Sequence, residues 1–355
     1  MMRKQMSWIM GCMVVVGMTL AMGACSSPGT SDTPTSSPTD VVSPAPTSTD
    51  TSTDTSTDSA TDLPSAPAVT NPPASSNMDG IDATGDFGDS PELTVPSPWA
   101  IDSTQTKILV QGDGMTVSQA GWVQVNYYGI NARTGDMFDE SYSKGAPVSF
   151  ALNQVVPGFQ KGLAGQQVGT RLIIAMPGAD GYDAAGGNSD AGIQVGDTLV
   201  FVVDIIRTQY TQPTGTPVTV TDASLPTVSG DITAPTISIP QGATPPTDLV
   251  VQPLITGPDP SVTVQSTDTL VVDYAEYIWS SGTMVRQTYG YAPLTGAVSS
   301  TLPGWQQALV GQPMGSRLLL VLPPNLAYPQ GYPKLGIPAG STMVYVIDIL
   351  YTYGS

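Results

Sequence analysis

Histidine is absent from all 355 residues. With it go His-based triads, histidine general bases and the commonest zinc ligand. Cysteine is nearly absent: Cys12 and Cys25 both lie in the first 25 residues, so the remaining chain has neither disulfides nor a thiolate metal site. Positive charge is scarce. Eleven Lys and Arg stand against 29 Asp and Glu, a formal net charge of −18. A chain this acidic, with no basic stripe, offers no footprint for nucleic acid. Nor does the acid suggest a metal: Asp180, Asp183, Asp190 and Asp197 fit no EF-hand spacing and read as solvated loop residues.

What is present begins with an address. Arg3 and Lys4 precede an apolar run, Ile9 to Ala24, that is too short and too poorly flanked for a settled membrane span. It ends in Met22-Gly23-Ala24-Cys25, which resembles the signal box of bacterial lipoproteins. That resemblance implies a signal peptide over 1–24, acylation of Cys25 and a lipid-anchored protein on the extracytoplasmic face of the cell membrane. Residues 25–90 are rich in Ser, Thr, Pro and Asp, with a four-residue repeat across Thr51–Asp58. Ten aspartates and no Lys or Arg lie between Ser26 and Asp89. Such a segment buries too little to offset its ordering entropy, so it reads as a disordered tether extended by its own charge.

The rest of the chain is written twice. Val155-Val156-Pro157-Gly158-Phe159 recurs as Thr301-Leu302-Pro303-Gly304-Trp305. In both copies a glycine follows six residues after the aromatic, and a Gly-x-Arg turn leads into an apolar run. Proline suits the first helical position and glycine the end, so each copy predicts a short helix with Phe159 and Leu163, or Trp305 and Leu309, on one face. Val123–Tyr127 recurs as Leu270–Tyr274, and Asp197–Ile206 as Ser341–Leu350, at a near-constant offset of about 145 residues. Two units follow, 91–207 and 231–355, joined by a Thr/Pro-rich linker over 208–230. Within each, short Val/Ile/Thr/Tyr-rich runs alternate with Gly, Asp, Asn and Pro, the pattern of an antiparallel sheet. Each unit is therefore α+β.

The order of elements in the first unit resembles the FKBP-type peptidyl-prolyl cis/trans isomerases. The carriers are Gly112-Asp113-Gly114, Val123–Gly129 ending in Tyr-x-Gly, Gly135–Ser141 with its Phe-Asp pair, Val148-Ser149-Phe150, Val155–Phe159, Val168-Gly169-Thr170-Arg171, Pro177–Tyr182 and Thr198–Phe201. No one motif is specific, but their order covers the whole unit. The resemblance implies two FKBP-like domains, each a half-twisted antiparallel β-sheet wrapped around one short α-helix. It implies catalytic roles for Tyr127, Phe138, Asp139 and Tyr182. Val155, Val156, Phe159, Ile193 and Phe201 would line the proline pocket. It further implies no cofactor and no metal, proline-containing exported polypeptides as partners, and macrolide-type ligands. In the second unit Tyr274, Leu302, Trp305, Tyr328, Ile337 and Tyr345 hold matching positions. Yet Val285 and Arg286 stand where Phe138 and Asp139 do, so this copy is expected to keep the fold and lose most activity. Two other readings compete: a proline-pocket binding or chaperone module with little turnover, and a structural surface protein of two β-sandwich modules.

Overall fold

The computed structural model describes residues 70–354. The expected signal peptide, Cys25 and the tether as far as Val69 lie outside the described residues. The first unit runs β1 (Asp82–Thr84), β2 (Glu92–Thr94), β3 (Gln105–Val110), β4 (Trp122–Asn131), β5 (Met137–Glu140), β6 (Val148–Ala151), α1 (Pro157–Leu163), β7 (Arg171–Met176) and β8 (Leu199–Thr208). The second runs β9 (Thr216–Pro217), β10 (Thr227–Asp231), β11 (Ala234–Ser238), β12 (Val250–Thr256), β13 (Thr269–Ile278), β14 (Met284–Gln287), β15 (Leu294–Ala297), α2 (Pro303–Leu309), β16 (Arg317–Leu322) and β17 (Met343–Tyr353).

Each unit is built on one main antiparallel sheet, in the order β3-β7-β8-β4-β5 or β14-β13-β17-β16-β12-β9, with a separate two-stranded hairpin. β6 and β15 flank the far half of β4 and β13. Strand residues alternate between faces. On the inner face Val123, Val125, Tyr127, Ile174, Phe201 and Val203 close over Phe159 and Leu163 of α1. Pro157 opens that helix and Gly165, at φ +83°, follows its end. Gly158 has a separate reason: a Cβ there would stand 2.4 Å from the Met176 sulfur, so only glycine lets α1 lie this close to β7. A helix packed on the inner face sets aside the β-sandwich alternative.

The outer faces are covered too, and two expected boundaries move. The β1–β2 hairpin brings Ile81, Trp99 and Ile101 onto Ile173, Ala175, Val200 and Val202. The tether expected over 25–90 therefore ends earlier, because Ile81 is needed to bury that face. In the second unit the β10–β11 hairpin covers Leu319, Val321, Val344 and Val346 in the same way. The expected linker 208–230 is likewise ordered: β9 pairs with β12, and the backbone amides of Tyr210 and Thr214 donate to Leu350 and Gly315 of the second unit. Trp122 stacks on Tyr353 at 4.5 Å, and Ser149 and Tyr351 share a hydroxyl contact of 3.1 Å.

The same buried fastener recurs behind both sheets. The Arg171 guanidinium donates to Asp204 at 2.6 and 2.7 Å and to the carbonyls of Gly85 and Asp89 in the hairpin. The Gly88 amide and the Tyr142 hydroxyl also donate to Asp204. Arg317 repeats this with Asp348, the Ile232 carbonyl and Tyr289. A buried ion pair is tolerable only when its remaining hydrogen-bond sites are filled, and the hairpin backbone fills them.

Candidate active site

In the first unit eight of the nine expected pocket residues belong to one cluster. Tyr127, Phe159, Tyr182, Ile193 and Phe201 are buried, and Phe138, Val155 and Val156 pack against them. The rings meet edge to face: Phe159 on Phe201 at 4.7 Å and Phe138 on Phe201 at 5.4 Å. Edge-to-face pairs are the favourable arrangement for aromatic quadrupoles, so these walls hold their shape without ligand. The glycine of Tyr-x-Gly has a purpose here. A Cβ on Gly129 would come within 2.7 Å of Phe201 and 2.9 Å of Phe138.

Asp139, the ninth, lies at the cluster's edge on β5, opposite Gly129. The Tyr127 hydroxyl donates to its Oδ2 at 2.5 Å. Its Oδ1 takes hydrogen bonds from the Glu140 amide at 3.0 Å and from Lys144 at 2.6 Å. Burial first, and then the Asp139 bond, push the Tyr127 pKa well above the ordinary phenol value. Tyr127 therefore remains a donor, with Asp139 as its acceptor.

The loop bearing Tyr182 and Ile193 is pinned from below. Asp197 accepts from Arg133 at 2.7 Å, from Asn131 at 2.7 Å and from the Gln194 amide at 2.8 Å. This corrects the reading of Asp197 as a solvated loop acid: it is 1% exposed. Burial works against its charge, yet these donors outweigh burial and hold its pKa below the usual carboxylate range. Asp180 pairs with Lys161 and Thr104, and Asp183 accepts from the Gly196 amide. Among the described residues no acidic cluster forms a metal cage.

The second unit keeps the frame and changes the contents. Tyr274, Leu302, Trp305 and Tyr328 line a cavity of about 350 Å³. Ile337 and Tyr345 lie in the core behind it. As expected, Arg286 takes the Asp139 position, opposite Glu276 where the first unit has Gly129. Glu276 is fully buried. It accepts from Arg286 Nε at 2.5 Å and from the Tyr345 hydroxyl at 2.6 Å. Arg286 Nη2 also donates to the Tyr328 hydroxyl at 3.0 Å. Burial opposes the Arg286 charge, but Glu276 outweighs it and raises the guanidinium pKa further. Trp305 Nε1 is buried with no hydrogen-bond partner among the described residues.

Sequence reasoning missed three site residues. Phe150 packs on Phe159 at 5.7 Å and is 4% exposed. The alternation through Val148-Ser149-Phe150 carried that signal. Lys144 reaches Asp139 across a turn, with no periodic cue. Glu276 was visible in the repeat as the partner of Gly129, but its burial follows only from Arg286 and Tyr345 converging on it.

The geometry joins a packed aromatic cluster to an anchored donor–acceptor pair. A family model described as FKBP-type peptidyl-prolyl cis-trans isomerase matches residues 114–206 and 261–350. The chain is similar to a probable FK506-binding protein of Corynebacterium glutamicum, 30% identical over 118 residues, which cover 33% of this chain and 98% of that protein. It is also similar to an FK506-binding protein of Streptomyces anulatus, 37% identical over 123 residues, covering 33% and 96%. Among solved structures, the three FKBP domains of wheat FKBP73 align at 15% identity and a TM-score of 0.31, covering 71% of this chain and 96% of that one.

Proposed function

The chain belongs to the FKBP-type peptidyl-prolyl cis-trans isomerase family and is an enzyme of that class, and from that premise we propose that its first unit carries the turnover. The observation that carries this assignment is the Tyr127–Asp139 hydrogen bond at the edge of the phenylalanine cluster. The second unit lacks both Phe138 and Asp139.

The barrier to rotation about a peptide bond is roughly 18–20 kcal/mol, because resonance holds the amide planar. The reaction needs no nucleophile, only a site that favours the twisted amide over both planar forms. Phe138, Phe159 and Phe201 hold the proline ring in a dry pocket. The twisted amide has lost resonance, so its carbonyl carbon is more polar and its nitrogen more basic. Fixed dipoles in a water-poor pocket stabilise such a charge pattern with no reorganisation cost. Asp139 and Tyr127 supply those dipoles at the pocket edge, and Tyr182 donates to a substrate carbonyl. The same pocket accepts macrolide-type ligands, the property for which the two relatives are named.

We place the protein outside the cytoplasm, anchored through acylated Cys25, with proline-containing exported polypeptides as its substrates. Support comes from Arg3, Lys4 and the apolar run that ends at Cys25. Replacing Cys25 by Ala should release the protein into the medium, and retention at the membrane would sink the anchor.

The catalytic assignment is tested in the full chain by Phe138→Ala and Asp139→Val in a proline-isomer assay. Removing roughly 1.4 kcal/mol of transition-state stabilisation costs about tenfold in rate, and each variant should lose at least that. Unchanged turnover in both would move the activity out of the first unit.

A further inference from the structure

The cavity in the second unit comes from specific substitutions rather than from loose packing. β4 and β6 pair Val123 with Phe150, while β13 and β15 pair Leu270 with Gly296. Gly296 therefore stands where the first unit places the Phe150 ring, and Val285 stands where it places Phe138. A Cβ on Gly296 would meet nothing within 4 Å, and the backbone there is not in the left-handed region. No backbone demand calls for glycine at this position, so its consequence is the space itself. A void of about 350 Å³ is in the range that holds a small ligand or a large side chain, well beyond a single proline ring.

Two further features describe what would fill it. β15 borders the cavity through Leu294 and Gly296, and among the described residues it pairs only with β13. Its other edge leaves backbone donors and acceptors open to an extended chain. Among the lining residues Arg286 alone is charged; its ion-pair partner Glu276 is buried behind it, and no carboxylate lines the cavity itself. Nε and Nη2 of Arg286 are committed to Glu276 and Tyr328, while Nη1 has no hydrogen-bond partner among the described residues. The first unit presents an acceptor at this point, and the second presents the free Nη1 donor of an ion-paired guanidinium.

We propose that the second unit binds extended polypeptide segments in which a bulky apolar side chain, above all an aromatic one, sits next to an acidic residue. The aromatic group enters over Trp305 in the space vacated by Phe150 and Phe138. The neighbouring carboxylate meets Arg286, and the segment's backbone pairs along β15. The proposal rests on the reading that turnover belongs to the first unit. The second unit then holds a client segment while the first acts on prolyl bonds.

The test uses the full chain and three blocked peptides: Ala-Glu-Phe-Leu, Ala-Gln-Phe-Leu and Ala-Glu-Pro-Leu. Affinity comes from calorimetry, and the site is located by the Trp305 indole N–H resonance, identified by its loss in Trp305→Phe. The Glu-Phe peptide should bind tightest and shift that resonance. The Gln-Phe peptide should bind about fivefold more weakly, the scale of a partly exposed ion pair. The Glu-Pro peptide should bind about tenfold more weakly, because less apolar surface is buried. Gly296→Phe should abolish binding by restoring the ring, and Gly296→Leu should reduce it. Glu276→Gln together with Arg286→Gln, which avoids a lone buried charge, should erase the Glu-over-Gln preference. Equal affinity for Glu-Phe and Gln-Phe would overturn the proposal, as would tighter binding of the prolyl peptide read at the Trp305 resonance or undiminished binding by Gly296→Phe. The chain carrying Phe138→Ala and Asp139→Val separates this from the catalytic reading. It should lose turnover yet bind the Glu-Phe peptide as before, and lost binding would place the peptide in the first unit.

Discussion

The two units share a frame and differ in what it encloses. Sheet order, the short helix, the covering hairpin and the buried Arg-Asp-Tyr fastener are common to both. The pocket positions diverge as a coupled set: Phe138, Phe150, Gly129 and Asp139 against Val285, Gly296, Glu276 and Arg286. The coupling has a steric cause. Gly129 is required because two rings converge on it. In the second unit the Phe138 ring is gone, so the position can carry a carboxylate, which Arg286 and the Tyr345 hydroxyl then satisfy. One pocket is lined by rings around an acceptor, and the other is hollow around a donor.

The shared frame should show the largest effects, and equally in both halves. Arg171→Ala strands Asp204 without its partner, and Arg317→Ala does the same to Asp348, each costing about 3–5 kcal/mol in denaturant unfolding. A large loss in only one would break the equivalence of the frames. Gly129→Ala comes next, driving a methyl into Phe201 and Phe138 at a cost of about 1–3 kcal/mol, with isomerase activity falling alongside. A tolerated alanine with full turnover would remove the steric account of why the two pockets differ.

Alkaline titration sharpens the contrast between the two edges. Burial, then the charge of Glu276, push Tyr328 up to about 12 in the fold, above the ordinary value of 10.0. Its stabilising contribution is complete below pH 10 and is lost as pH rises through about 12. Subtracting the tyrosinate absorbance of Tyr328→Phe from that of the parent chain should show one step in that window. A step at or below pH 10 would contradict the buried network. The smallest effect is expected at Lys161–Asp180, whose lysine is 56% exposed. Lys161→Ala should cost less than about 1 kcal/mol, in contrast to the buried pairs.

Patterning alone carried much of this. The repeat at a near-constant offset defined two units, Pro-Gly-aromatic defined the helices, and β-prone runs defined the sheets. These are local signals whose physics is complete within a few residues. The order of motifs placed Tyr127, Phe138, Asp139 and Phe159 in one pocket; the structure packs Tyr127, Phe138 and Phe159 into one cluster and hydrogen-bonds Asp139 to Tyr127 at its edge. What covered the outer face could not be read, because the hairpins come from segments whose composition resembles a tether and a linker. Their order comes from Ile81 and Trp99 meeting a distant sheet and from backbone carbonyls completing the coordination of Arg171.

The composition by itself determined that no histidine takes part in this protein's chemistry, and the repeat determined that the chain carries two copies of one fold. Tertiary structure alone decided that the copies enclose different pockets. Strand register sets Phe150 against Phe159 in one and leaves Gly296 open in the other, and register depends on pairing between residues far apart in the chain. Burial then turned Glu276 from one acid among many into the anchor of Arg286.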